Sequence, residues 1–136
     1  MLGVLVVVMA SIAITLYLQN FQVPTGKFTS TTGKLIEVNV IVDFGSSRKS
    51  KSLTVENGTS VFDVLNRSFD IEFNEYEGLG KMVVSIDGVS SNSTHYWLYW
   101  VNGELAQVGA DSYFLTEDSE VEWRYLSSEE AMKFFE

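Results

Sequence analysis

A chain of 136 residues with 9 cationic and 18 acidic side chains, net charge −9, has room for one domain and not comfortably two. That charge excludes nucleic-acid binding, which needs clustered Lys and Arg against phosphate, and suits a self-repelling surface or a cationic partner. The lack of cysteine excludes disulfides, thiolate metal sites and cysteine nucleophiles together.

The charge is unevenly placed, and none precedes Lys27. Leu2 to Leu18 reads LGVLVVVMASIAITLYL, which as a helix spans roughly 25 Å. Continued through Val23 it spans roughly 33 Å, enough for a hydrocarbon core of about 30 Å. Tyr17, Gln19, Asn20, Phe21 and Gln22 suit passage through the interface, and Pro24 and Gly26 end any helix. Residues 1–23 are therefore expected to be a transmembrane anchor, with the membrane as the partner of Leu2 to Val23. A cleaved signal peptide is the rival reading. Ser11 and Ala13 offer small residues to a peptidase, but the apolar run continues past them and no basic region precedes it. A buried core helix is a third reading, one that the β-rich remainder does not need. Sequons at Asn57, Asn66 and Asn92 favour glycosylation and an extracytoplasmic domain, hence a single-pass protein of the cell membrane.

Residues 24–34 read as a polar linker. Ile36, Val38, Val40, Val42 and Phe44 then alternate with polar residues, the signature of a half-buried strand. Residues 45–52, with Arg48, Lys49 and Lys51, read as a solvated hairpin tip, with contact to anionic lipid as the alternative; residues 53–56 return as a second strand. Asn57-Gly58 turns the chain into a helix with Ser60 as N-cap and Val61, Val64, Leu65 and Phe69 on one face. Residues 66–81 run largely as a loop, residues 82–87 alternate again, and Asp87-Gly88 turns. His95 to Asn102, HYWLYWVN, is the most aromatic strand and ends in the hairpin signal Asn102-Gly103. Residues 121–125 form a last strand. Ser127 to Glu130 resembles a capping box ahead of Ala131, Met132, Phe134 and Phe135. This order predicts an α+β fold: a β-grasp-like single mixed sheet with one packed helix over residues 35–126, preceded by the transmembrane helix and followed by a short amphipathic tail, residues 127–136.

The run Tyr96-Trp97, Val101-Asn102-Gly103, Val108-Gly109-Ala110-Asp111, Tyr113 and Val121-Glu122-Trp123-Arg124-Tyr125 resembles the transcobalamin-like C-terminal domain family. Val55, Gly58, Thr59, Val61, Val64 and Leu65 resemble the strand, turn and helix of that family, so the likeness covers residues 35–126. It implies an extracytoplasmic β-grasp module. In transcobalamins the related domain closes over a corrinoid held mainly by a separate helical domain, which is not expected in this chain. One departure is Asp118, where the family usually carries glycine before the last strand; Asp tolerates left-handed backbone well enough to keep a turn.

Little in the chain points to catalysis. His95 is the only histidine, so a triad or a multi-histidine metal site is not expected. Asp111, Glu117, Asp118, Glu120 and Glu122 lack the spacing of a calcium loop. No catalytic residue, metal or cofactor is assigned. The aromatic strand is the sharpest feature. Alternation sends His95, Trp97, Tyr99 and Val101 to one face and Tyr96, Leu98, Trp100 and Asn102 to the other. One helix covers one face, and the other is expected either to be an aromatic binding surface or to lie under loops. Tyr96, Trp97, Tyr99, Trp100, Trp123, Phe134 and Phe135 are therefore the candidate binding residues. The leading expectation is a membrane-anchored, non-catalytic binding module for a cell-surface partner or a small molecule. The alternatives are an accessory subunit of a membrane protein complex and a carrier of a corrinoid or other small ligand.

Overall fold

The computed structural model describes residues 34–135; the expected span and all but the end of the linker lie outside the described residues. Among those described, no helix is long and apolar enough to cross a membrane.

Strand β1 (Leu35–Asp43) alternates as its sequence predicts, with Ile36, Val38, Val40 and Val42 buried on one face. Strand β2 (Arg48–Glu56) returns antiparallel in unbroken register, from Leu35 opposite Glu56 to Asp43 opposite Arg48. The basic run thus lies within a strand and not at a hairpin tip. The turn is tighter than expected: Phe44 N–H donates to Ser47 C=O at 2.8 Å, Gly45 takes φ +92°, and Gly45 N–H donates to Asp43 Oδ1 at 2.8 Å. Lys49 pairs with Asp87 at 3.0 Å, and Lys51 donates to Ser68 C=O at 2.7 Å with its Nζ 4.9 Å from the centre of the Phe69 ring. Cations along an edge strand discourage further strand pairing.

Helix α1 (Val61–Ser68) starts where Ser60 Oγ accepts Asp63 N–H at 3.0 Å. Then follow β3 (Ile71–Tyr76), β4 (Gly80–Ile86) and β5 (Val89–Ser90), paired antiparallel as a separate three-stranded sheet. Next come β6 (His95–Val101), β7 (Glu104–Leu105), a 3-10 turn (Ala110–Ser112), β8 (Ser119–Ser127), α2 (Ser128–Met132) and a last 3-10 turn (Lys133–Phe135). The larger sheet has the order β2-β1-β8-β6-β7, with β8 parallel to β1 and the other pairs antiparallel.

The fold is mixed α+β, dominated by two sheets rather than the single sheet expected. Residues 66–81 are not mainly loop: they finish α1 and build β3. That strand, IEFNEY, escaped a pattern reading because it is exposed almost throughout and shows no alternation of burial. The Asx-Gly turns at Asp87 and Asn102 form as read, with these residues at φ 49° and 51° and each followed by glycine at positive φ. Asp118 needs no left-handed backbone; its Oδ1 accepts Glu37 N–H at 2.9 Å and ties the turn before β8 to β1.

The core lies on one face of the larger sheet. Ile36, Val38, Val40 and Val42 of β1, Val55 of β2, Val121 and Trp123 of β8, and Trp97, Tyr99 and Val101 of β6 are packed with Val61, Phe62, Val64 and Leu65 of α1 and Val83 and Ile86 of β4. Each fully buried aliphatic or aromatic side chain of this kind contributes about 1.5–3 kcal/mol. The whole core falls within residues 35–136, which form a compact unit of their own.

Candidate functional site

The aromatic strand is buried on its inner face and covered over most of its outer face. On the inner face, Trp97, Tyr99 and Trp123 are buried in the core. Tyr99 stacks on Trp123 with ring centres 4.8 Å apart, Trp97 Nε1 donates to Val89 C=O at 2.9 Å, and Tyr99 Oη donates to Val108 C=O at 2.7 Å. On the outer face, Trp100 is only 4 % exposed. The Arg124 guanidinium lies 4.2 Å from its ring centre and the Phe134 ring packs edge-on at 5.1 Å. Arg124 is held by Glu122, which also pairs with Arg48 at 3.2 Å. Tyr96 is exposed, its hydroxyl donating to Ser93 C=O at 3.3 Å. The seven candidates are therefore divided among the core, the outer face and the C-terminal turn, and do not form one surface. The eight-residue helix covers only part of the inner face, and Val83 and Ile86 of the β3-β4-β5 sheet cover more of it.

The turn that carries Phe134 is set by sequence. Ser127 Oγ accepts Glu130 N–H at 3.1 Å, and Glu130 Oε1 accepts Ser127 N–H at 2.9 Å, the capping box read above. These bonds hold the Glu130 carboxyl below the usual range. The fold-back places Phe134 over Trp100 and Phe135 at the rim of a cleft.

That cleft, about 210 Å³, has a mainly apolar lining. It runs along the edge of β6. Trp97, Tyr99 and Trp123 approach it from the inner face of the sheet, and Leu98 and Phe135 from the outer. Tyr76, Leu79 and Met82 of the β3-β4 hairpin and Leu105, Ala106 and Val108 after β6 complete the lining. Leu79 is 81 % exposed, and Tyr76, Met82, Val108 and Phe135 are exposed as well. Exposed large apolar residues scattered singly mean little; gathered around one opening they mark a contact surface.

Polar groups behind the lining fix its shape. Asp111 Oδ2 accepts Lys81 N–H at 3.0 Å, while Asp111 Oδ1 is buried without a partner. A Cβ at Gly80 would fall 2.7 Å from Asp111 Oδ2, so glycine is needed there for the carboxylate to reach the backbone. Burial, with Tyr113 and Asp111 nearby, raises the Tyr99 phenol above its ordinary range, keeping it a neutral donor to Val108. Trp123 Nε1 is also buried without a partner. Leu79, Met82, Val108 and Ala106 are not among the binding residues that the sequence suggests. For Leu79 the signal is Gly78-Leu79-Gly80, a large apolar residue between two turn glycines, where a polar residue is usual.

The remaining candidates are dispersed. His95 stacks on Tyr125, ring centres 5.1 Å apart, with Nδ1 3.0 Å from Thr94 Oγ1. Asn57, Asn66 and Asn92 are all exposed; Asn92 Oδ1 accepts Thr94 N–H at 2.8 Å and His95 N–H at 2.9 Å, turning the chain into β6. Among the described residues, no group of three or more His, Asp or Glu side chains is placed to hold a metal ion.

The profile of a domain of unknown function, DUF4430, matches residues 58–127. No curated protein matches the chain. Among solved structures, haptocorrin in complex with Cbi is similar at 24 % identity and a TM-score of 0.64, over 69 % of this chain and 25 % of that one. A candidate metal-binding protein from Ruminococcus gnavus ATCC 29149 is similar at 16 % identity and a TM-score of 0.58, over 68 % of this chain and 98 % of that one. The chain thus spans about a quarter of the length of haptocorrin, and both likenesses are of fold.

Proposed function

The chain belongs to the DUF4430 family, and on that premise we propose that it is a non-catalytic binding module, β-grasp-like and transcobalamin-like, whose site is the apolar cleft along β6. The observation that carries this reading is the gathering of Tyr76, Leu79, Met82, Val108 and Phe135, all exposed, around one opening. Leaving such a rim in water is costly, at about 25 cal/mol for each Å² of apolar surface, and an occupant recovers that free energy. The Cbi of haptocorrin supports a small-molecule ligand in a relative of this fold. A metal ion is not proposed, because the described residues do not fit one. The apolar run from Leu2 to Val23 supports a membrane tether, with residues 24–34 as spacer and the module on the extracytoplasmic side, glycosylated at Asn57, Asn66 and Asn92.

Residues 27–136 retain the whole core and are expected to fold and bind without the tether. Nile red, an uncharged dye that brightens in apolar surroundings, is the first probe. The fragment should take it up, Leu79→Ser and Met82→Ser should each weaken uptake several-fold, and Tyr96→Ser, away from the cleft, should not. Equal uptake by all four proteins would place binding elsewhere.

A further inference from the structure

Resting on the reading of the cleft as a binding site, we propose that its occupant is an extended segment of another protein, apolar with basic flanks, which adds as a strand to the free edge of β6. Residues of β6 bond alternately to either side. Asn102, just after the strand, donates its N–H to Glu120 C=O on the β8 side at 2.8 Å. On the opposite side, Tyr99 C=O accepts Ala106 N–H at 3.0 Å and His95 C=O accepts Asn92 N–H at 2.9 Å. Trp97 lies between these two and shares their direction. Strand β7 ends at Leu105, opposite Trp100. Trp97 N–H and C=O therefore face no strand of the described residues on that side.

The cleft has the form this occupant needs. It straddles the strand edge, with Trp97, Tyr99 and Val83 on the inner side and Leu98 and Phe135 on the outer. An added strand alternates its side chains between those same two sides. At about 210 Å³ it is smaller than the roughly 300–1,000 Å³ that encloses a whole drug-sized ligand, yet it holds one or two side chains.

The two edges of the larger sheet are treated differently. Strand β2 carries Arg48, Lys49 and Lys51, which blunt its edge. At the other edge β7 pairs only with Trp100 and Val101, and β6 carries no lysine, arginine or acidic residue from His95 to Val101. Charge then selects the partner. Glu75 and Glu77 flank Tyr76, and Glu104 precedes Leu105. The cation in the lining, Lys81, lies over the Phe62 and Phe73 rings at 5.1 and 5.5 Å. These three carboxylates are exposed beside lining residues, and on a chain of net charge −9 they favour a basic segment over a second copy of itself.

The test uses the full chain in mild detergent and a fluorescein-labelled peptide of alternating valine and threonine between terminal lysines. Its control is the same peptide methylated at every backbone nitrogen, which enters micelles at least as well but cannot donate to a strand. The unmethylated peptide should bind, methylation should weaken it at least about tenfold, and Leu79→Ser should weaken it as well. Bound peptide should also slow hydrogen exchange at Trp97 N–H. Equal binding of the two peptides, or unchanged exchange at Trp97, overturns strand addition. Failure of both peptides while the cleft still takes up Nile red overturns this inference and leaves the binding module standing. Loss of dye uptake as well removes the cleft itself.

Discussion

Gly80 sits where backbone conformation and packing make the same demand. Its φ is +88°, and a Cβ would press within 2.8 Å of both Asp111 carboxylate oxygens. Gly78, two residues earlier, has φ +79° with nothing within 4 Å. Gly78→Ala should therefore cost about 1 kcal/mol from backbone strain alone, and Gly80→Ala about 2–4 kcal/mol, read as the difference between their urea midpoints. Tyr99 gives a pH test. Its phenol pKa is raised by burial, so the folded state holds that proton more tightly than the unfolded chain does. The stabilisation is complete below the ordinary value of 10.0 and is lost as pH rises above it. Tyr99→Phe should cost about 1 kcal/mol near neutrality, for the bond to Val108, and should flatten the alkaline fall in stability. Trp97 shows where a residue-level reading misleads. Its aromaticity suggests a contact surface, but Trp97→Ala would open the core at about 3–5 kcal/mol and would report on stability, not on binding.

At the scale of elements, what was legible depended on whether local chemistry decided the outcome. The β1 alternation, the Ser60 cap, the Asx-Gly turns and the capping box at Ser127 are local, and each forms as read. Strand β3 and the basic half of β2 were missed because pairing, not periodicity, makes them strands. Arg48, Lys49 and Lys51 look like a solvated turn until Glu122, Asp87 and Ser68 are brought beside them by the fold. The C-terminal turn is the element with the most direct test. Ser127→Ala removes the cap, should cost about 1 kcal/mol, and should loosen Phe134 from Trp100, shifting tryptophan emission to the red. Because Glu130 is held below the usual carboxylate range, the cap is intact above the ordinary value of 4.5 and lost as pH falls below it. The same red shift should thus follow acidification of the native protein.

For the whole molecule, composition separated an uncharged head from an acidic domain, and the resemblance of residues 35–126 pointed to the right kind of fold. The binding site was less legible, since a cleft between the β6 edge, the β3-β4 hairpin and residues 105–110 is a product of topology. Aromatic residues drew attention to β6, and β6 does border the cleft, but its rings serve mainly as wall and core while Leu79, Met82 and Val108 form the mouth. Amide chemical-shift mapping of residues 27–136 during titration with Nile red tests this assignment most directly. The account predicts shifts concentrated at Leu79 to Val83, at Leu105 to Ala110 and at the Trp97 amide. Shifts centred instead on Tyr96, Trp100 and Phe134 would contradict it.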